Sequence, residues 1–478
     1  MTDETSDLLR ERLKKLKAVE ALGMDPFGGK FPKDAAIGAI VAGFEERKRA
    51  RTAGRLSAVR LMGKTAFCDL KDETGRIQLF VKSETIGPEG LKLFEALDIG
   101  DILGAEGELF KTKTGEISIR VEKLTILAKS LRPLPEKWHG LKDVETRYRQ
   151  RYLDLVANDE VKAIFKKRSL VIRSIRKTLD DKNYLEVETP MMHPIPGGAA
   201  GKPFKTHHES LDADLYLRVA PELYLKRLLV GGFDKVYEIN KSFRNEGVST
   251  RHNPEFTMLE VYTAYADVND VMDLTGEIIQ AAAAEAKTDA DLSRWERVSF
   301  ADLMKDSFGI KPDDPLEVWT EKLKKKGVGI EGKALSRTQL INIVGELLEP
   351  GAGRSKKESH PVFVTDYFTE LCPLAKKNKS NPLLSERFEL YIGGMEIANG
   401  YSELNNPIEQ RERFLEDLRE KGKEAASGEI DEDFLTALEY GMPPAGGLGI
   451  GVDRLVMVLT GQPSIRDVIL FPQMKREK

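Results

Sequence analysis

Apolar residues recur at Leu9, Leu13, Leu16 and Val19, the spacing of one helix face, with Ser6 placed to cap that helix and Gly23 to stop it. The period then changes. Ile77, Leu79 and Val81 recur at every second position after a turn at 72–75, and Ile117, Ile119 and Val121 do so after Thr114 and Gly115. A period of two predicts strands with one buried face. Several such runs within 53–131 predict a small β-barrel of the OB-fold kind, an architecture suited to single-stranded nucleic acid. Residues 1–52 then form an N-terminal helical segment, and the stretch 132–155, with Pro133, Pro135 and Gly140, reads as a linker.

A second domain is expected over 156–478. Helical spacing returns at 160–183, residues 184–187 read as extended, a further helical segment lies near 263–287, and a Lys-rich stretch with apolar spacing covers 315–349. The strand-like runs between them show few βαβ alternations. The expected class is α+β, a mostly antiparallel sheet with a helical insertion at 310–350.

Composition narrows this picture without redirecting it. With 41% apolar and 32% charged residues the chain can build real cores, which excludes disorder as its main character. No apolar run is long enough for a membrane span, and the first 20 residues lack the apolar stretch of a secretory signal, so a cytoplasmic location is expected. Cys68 and Cys372 lie far apart and none of the six histidines joins them at metal-binding spacing, which speaks against structural zinc and disulfides. Residues 1–150 hold 28 Lys and Arg against 24 acids, a balance of +4, within a chain whose total is -4. So slight an asymmetry suits a polyanion-binding front domain and ordinary surface variation alike.

Three segments carry candidate chemistry. In 243–262, FRNEGVSTRHNPEFTMLEVY, an alternating pattern would put Arg244 and Glu246 on one strand face, 247–253 in a loop, and Phe256, Met258, Glu260 and Tyr262 on one face of the returning strand. An arginine fork suits a phosphate or carboxylate and an aromatic face suits a purine; a surface salt-bridge ladder would use the same residues. In 446–461, GGLGIGVDRLVMVLTG, Gly447, Gly449 and Gly451 alternate before Arg454, which is not the GxGxxG dinucleotide fingerprint. Such glycines admit a ligand or simply close packing. In 386–407, Glu389 and Glu396 flank a glycine pair and Asn399, Tyr401 and Glu403 alternate. Paired carboxylates near phosphate would hold Mg2+; acids on a solvated strand are the bland alternative.

Together these segments resemble motifs 2 and 3 and the amino-acid-binding strand of the class II aminoacyl-tRNA synthetases, in detail the lysyl-tRNA synthetases. The runs EVETPMMHPIPGGAAGKPF, APELYLKRLLVGGF, LRPLPEKWHGL and RYRQRYLDL are similar to that family as well, and the likeness extends from about residue 50 to the C-terminus. It implies a ligase that activates L-lysine with ATP to lysyl-adenylate and transfers it to the 3' end of its tRNA for protein synthesis. It implies ATP contacts from Arg244, Glu246, His252, Phe256 and Arg454, with Arg244 and Arg454 acting in catalysis, and Mg2+ on Glu389 and Glu396. Lysine would be held by Gly198, Glu222, Glu260, Tyr262, Asn399, Tyr401 and Glu403, and the tRNA anticodon read on the barrel by Phe67, Gln78 and Glu116. Motif 1, around Pro190, implies a homodimer. Asn406, Ala398 and Tyr401 stand where aspartate, glycine and phenylalanine occur in other members, which leaves every charged ligand in place.

Rival readings differ in their chemistry. An aspartyl or asparaginyl relative would offer cationic or amide partners, where Glu260 and Glu403 favour a cation. A ligase that lysylates protein would lack the barrel at 53–131, and a silent copy of the fold has no need of Arg244, Glu246, Glu389, Glu396 and Arg454 together.

Overall fold

The structure, a computed structural model, describes residues 3–63, 65–134, 141–199, 201–330, 335–348, 360–421 and 429–475. Two compact units divide the chain, Met1–Lys142 and Asp143–Lys478.

In the first unit α1 (Asp3–Ala21) already runs before Ser6, so Ser6 is not its cap. After α2 (Ile37–Ala42) come β1 (Arg49–Met62), β2 (Thr65–Lys71), β3 (Arg76–Lys82), α3 (Ser83–Glu95), β4 (Ile102–Lys111) and β5 (Ile117–Ala128). The strands close into a barrel in the order β1-β2-β3-β5-β4, in which β3 and β5 run parallel. β1 starts ahead of residue 53 because Arg49 to Ala53 still pair with β4, and their charged side chains find Glu122 and Asp34 outside the ladder. Leu56, Cys68, Leu70, Ile77, Leu79, Ile119 and Val121 fill the barrel. The alternate positions therefore face outward.

The second unit opens with α4 (Val144–Arg149) and α5 (Arg151–Ala157), so helices occupy the end of the stretch read as a linker. Asp143 caps α4 through the Thr146 N–H, and buried Arg151 pairs with Asp154. Residues 135–140 of that stretch lie outside the described residues. After α6 (Asp159–Asp180) the chain adds β6 (Leu185–Glu186), β7 (Met192–His193), β8 (Lys205–His208), β9 (Ala213–Leu217), α7 (Glu222–Val230), β10 (Lys235–Phe243), β11 (Glu255–Ala264) and α8 (Val268–Ala286). There follow β12 (Glu296–Ser299), α9 (Phe300–Phe308), α10 (Leu316–Lys325), α11 (Arg337–Leu348), β13 (Val362–Thr365), β14 (Arg387–Ile392) and β15 (Met395–Ser402). The chain then forms α12 (Pro407–Lys421), α13 (Glu432–Glu439), β16 (Ala445–Gly451), α14 (Val452–Thr460) and α15 (Ile465–Val468).

Eight strands join in the order β12-β13-β14-β15-β16-β11-β10-β6, antiparallel except at β12·β13 and β10·β6. α8 begins at Val268 and not at 263, because β11 continues to Ala264 and Asp267 with Asp270 forms a capping box. One sheet face packs on α6, α8 and α14 through Leu259, Val261, Leu448 and Ile450 against Ile175, Ile278 and Leu455. α9, α10 and α11 have a core of their own, Phe300, Trp319, Leu323 and Leu340 against Tyr367 and Phe368. Residues 331–334 and 349–350 of the expected insertion lie outside the described residues.

Candidate active site

The site lies on the sheet face turned away from that helical layer. β16 runs between β11 and β15, and its register aligns Tyr262, Gly447 and Tyr401 in one row and Glu260, Gly449 and Asn399 in the next. Directly paired residues face the same way. Side chains of β11 and β15 therefore flank a floor that carries none. A Cβ at Gly447 would sit 1.8 Å from Glu403 Oε1 and 2.8 Å from Tyr262 Cε1, so only glycine leaves room for that carboxylate. At Gly449 the nearest atom would be Met258 Cε, at 3.2 Å.

At the open end, Arg244, Glu246, His252, Phe256, Asn399, Glu396 and Arg454 line one cleft. Arg244 and Glu246 do not share a strand face as expected, because β10 ends at Phe243. The Arg244 N–H still donates to the Pro254 carbonyl at 2.9 Å, but proline has no N–H to return, and the Glu246 N–H turns back to the Arg244 carbonyl at 2.9 Å. The Arg244 guanidinium lies over the Phe256 ring at 5.2 Å, and its buried Nε has no hydrogen-bond partner among the described residues. Burial holds Arg244 below its ordinary pKa, against the pull of Glu246 and Glu396. A buried fork with a spare donor is prepared for an anion. Arg454 donates to Glu396 Oε2 (2.9 Å) and reaches His252 Nε2 (3.2 Å); burial and that guanidinium lower the pKa of His252. Buried Asp453 accepts from the Thr257 N–H at 2.7 Å and pairs with Arg168 at 2.6 Å, which ties the start of α14, and so Arg454, to β11.

Glu389 and Glu396 are placed differently. Glu396 reaches the cleft, whereas Glu389 is buried, accepts from the hydroxyls of Tyr367 (2.8 Å) and Tyr391 (2.6 Å), and pairs with Arg387. Among the described residues no group of three or more His, Cys, Asp and Glu assembles a metal site. The donors present suit a hard ion held by one or two carboxylates, water and a ligand's phosphates, as Mg2+ is held.

Farther along the same strands, outside the lining of that cleft, Tyr401 donates to Glu222 Oε1 at 2.6 Å and Tyr262 to Glu260 Oε2 at 3.0 Å. Gly198, at φ +87°, stands against this group, with the place of its Cβ 3.2 Å from Glu222 Cβ. Sequence reasoning missed Lys226, which is fully buried, donates to Glu222 at 2.7 Å and pairs with Glu403 Oε2. Its signal was the i,i+4 spacing in ELYLK. Burial and Glu222 push the Glu260 carboxyl up to about 8. Burial also raises Glu403, against Lys226, and raises the Tyr262 and Tyr401 hydroxyls. Three buried acids grouped with one lysine leave a surplus that either protons or a cationic ligand can neutralise, and a cationic ligand suits it.

On the barrel, Phe67 packs on Phe80 with centroids 5.1 Å apart, Phe80 meets Phe110 at 5.8 Å, and Arg120 lies over Phe110 at 5.1 Å. Gln78 accepts from Ser118 (3.0 Å) and Glu116 from Arg76 (2.6 Å). Phe80, Phe110 and Arg120 were not singled out from the sequence, although their alternation with the barrel core marks them as outward.

A family model described as tRNA synthetases class II (D, K and N) matches residues 143–475, and one described as OB-fold nucleic acid binding domain matches 50–127. Among curated proteins the chain is 52% identical to a lysine–tRNA ligase of Carboxydothermus hydrogenoformans, covering 99% of each. It is 51% identical to the enzyme of that name from Pelotomaculum thermopropionicum, over 99% of this chain and 96% of the relative. For Fusobacterium nucleatum the identity is 48%, over 99% and 98%.

Proposed function

The chain belongs to the class II tRNA synthetases (D, K and N), among the lysine–tRNA ligases, and from that premise we propose how its residues divide the reaction. The reaction is ATP-dependent activation of L-lysine to lysyl-adenylate, followed by transfer to the 3' end of its tRNA for protein synthesis. The lysine carboxylate attacks the α-phosphorus already ionised and pyrophosphate leaves, so no side-chain base is needed. Arg244 takes the carboxylate and the α-phosphate, Glu246 the adenine amino group, and Phe256 the ring face. His252 and Arg454 lie toward the outer phosphates. Glu396, with Glu389 behind it, would hold Mg2+, which when bound neutralises phosphate charge.

Glu222 and Gly198 take the α-amino group, Asn399 supports the carboxylate, and Glu260, Tyr262, Tyr401 and Glu403 surround the side-chain ammonium. Phe67, Gln78 and Glu116 read anticodon bases on the outward barrel face. Exposed Leu185, Met191 and Met192, which flank Pro190 in the chain, support a homodimer through this segment. No helix among the described residues is long and apolar enough to cross a membrane, and a role in protein synthesis suits the cytoplasm.

The observation that carries this reading is the buried acid surplus of Glu222, Glu260 and Glu403 over Lys226. An aspartate or asparagine pocket would have no use for it. ATP–pyrophosphate exchange with each proteinogenic amino acid, with and without Mg2+, tests it. Exchange with lysine alone, dependent on Mg2+, is expected; exchange with aspartate or asparagine would overturn it.

A further inference from the structure

Lys226 has no part in the reaction as derived above, yet it sits between two of the acids assigned there to the substrate's ammonium groups. Its Nζ is 2.7 Å from Glu222 Oε1, pairs with Glu403 Oε2 and lies over the Tyr401 ring at 5.6 Å, with no surface exposed. Four charged or hydroxyl groups face it or its partners from other elements: Glu260 and Tyr262 on β11, Tyr401 on β15, and Glu403 just beyond. A further buried acid nearby, Glu238, is already answered by Arg218 at 2.8 Å and drops out of the charge count.

With every group ionised, Glu222, Glu260 and Glu403 carry three negative charges and Lys226 one positive. The surplus is two. Lysine brings two ammonium groups to this surplus and one carboxylate to Arg244. We infer that Lys226 is a positioning and specificity-determining residue of the lysine pocket: one resident ammonium orients Glu222 and Glu403 and sets the negative surplus to match the substrate's two ammonium groups. The inference rests on the lysine reading of the cleft.

Stability alone does not call for such a lysine, since buried ion pairs are often replaceable by apolar side chains at no cost. Its removal would instead leave three acids facing one another, and one would take up a proton or turn away. Because a single Nζ serves both carboxylates, the places for the α-amino group and for the side-chain ammonium are fixed together.

The test compares the native chain with Lys226→Met and Lys226→Gln. It uses lysine-dependent ATP–pyrophosphate exchange, and calorimetric lysine binding in buffers of different ionisation heat, which counts released protons. Both variants should raise the lysine KM on the order of 100-fold, with kcat and the ATP KM much less affected. Both should release more protons than the native chain on binding lysine, because an acid protonated in the empty pocket must ionise. An unchanged lysine KM in Lys226→Met overturns the inference. So does recovery of native KM and proton count in Lys226→Gln, which keeps hydrogen-bond donors without the charge. If Lys226→Met loses its cooperative thermal transition, Lys226→Gln decides by the same two readings. Absence of lysine-dependent exchange in the native chain would overturn the lysine reading itself.

Discussion

Beyond the cleft, along the same strands, Glu222, Glu260 and Glu403 are buried together, each within reach of a tyrosine or lysine and all away from water. On the barrel, Phe67, Gln78 and Glu116 stay partly exposed, and their partners are a neighbouring ring, a hydroxyl and a solvated arginine. The pocket concentrates unsatisfied charge where it is costly, so a ligand lacking the matching charges is refused strongly. The barrel spreads modest contacts over an open face, as suits a polymer that brings many bases and its own hydration. On the proposed division of roles, small-ligand selectivity would come from a few buried charges and polymer recognition from many weak surfaces.

Substitutions in the two regions should differ in size accordingly. Glu403→Gln should have the largest effect, raising the lysine KM by roughly 3 to 5 kcal/mol in binding while leaving the ATP KM close to native, because Lys226 loses a buried partner. An unchanged lysine KM would abolish the contrast. Gly447→Ala should follow, since its Cβ would fall on Glu403 Oε1; we expect a loss of about 1 to 3 kcal/mol in lysine binding. Gly449→Ala, with a flexible methionine terminus as its nearest neighbour, should lose much less, and equal losses at both would deny that the carboxylate sets the limit.

A pH titration of lysine binding sharpens the same point. Glu260, raised to about 8 by burial and Glu222, keeps its proton below that pH in the empty pocket, and Glu238, Tyr262 and Arg218 are the other groups that act on it. An ammonium ligand needs it ionised. Lysine affinity should therefore rise with pH up to about 8, by at most roughly tenfold per unit, and flatten in Glu260→Gln. A flat profile in the native chain would remove Glu260 from the pocket. The smallest effect is expected on the barrel, where Phe67→Ala should weaken tRNA charging by about 1 kcal/mol and leave lysine-dependent exchange unchanged. A loss of exchange in that variant would show a structural role for the ring.

Much of this was legible in the sequence, because period-two and helical patterns report burial directly. The barrel, the glycine strand and the returning strand Glu255–Ala264 follow from alternation alone. The end of the strand at Phe243 was not legible by that rule, as alternation continues past the point where Pro254 has no N–H to give and the Glu246 N–H turns back to the Arg244 carbonyl. Lys226 escaped for another reason: a lysine four residues after a glutamate reads as an exposed helical pair, and only the fold brings Glu403 to it from far along the chain. The separation of Glu389, held by two tyrosines and an arginine, from Glu396 at the cleft likewise depends on residues 367 and 391 meeting in space.

The bare floor at Gly447 also constrains the history open to this pocket. Every other amino acid carries a Cβ, and at this position that atom would land on the Glu403 carboxylate. A lineage drifting toward a different substrate would meet a cost if it began by altering residue 447 while Glu403 stayed in place. The backbone thus biases the order of steps: a change at Glu403 removes the cost of a side chain at 447, and the reverse order meets it.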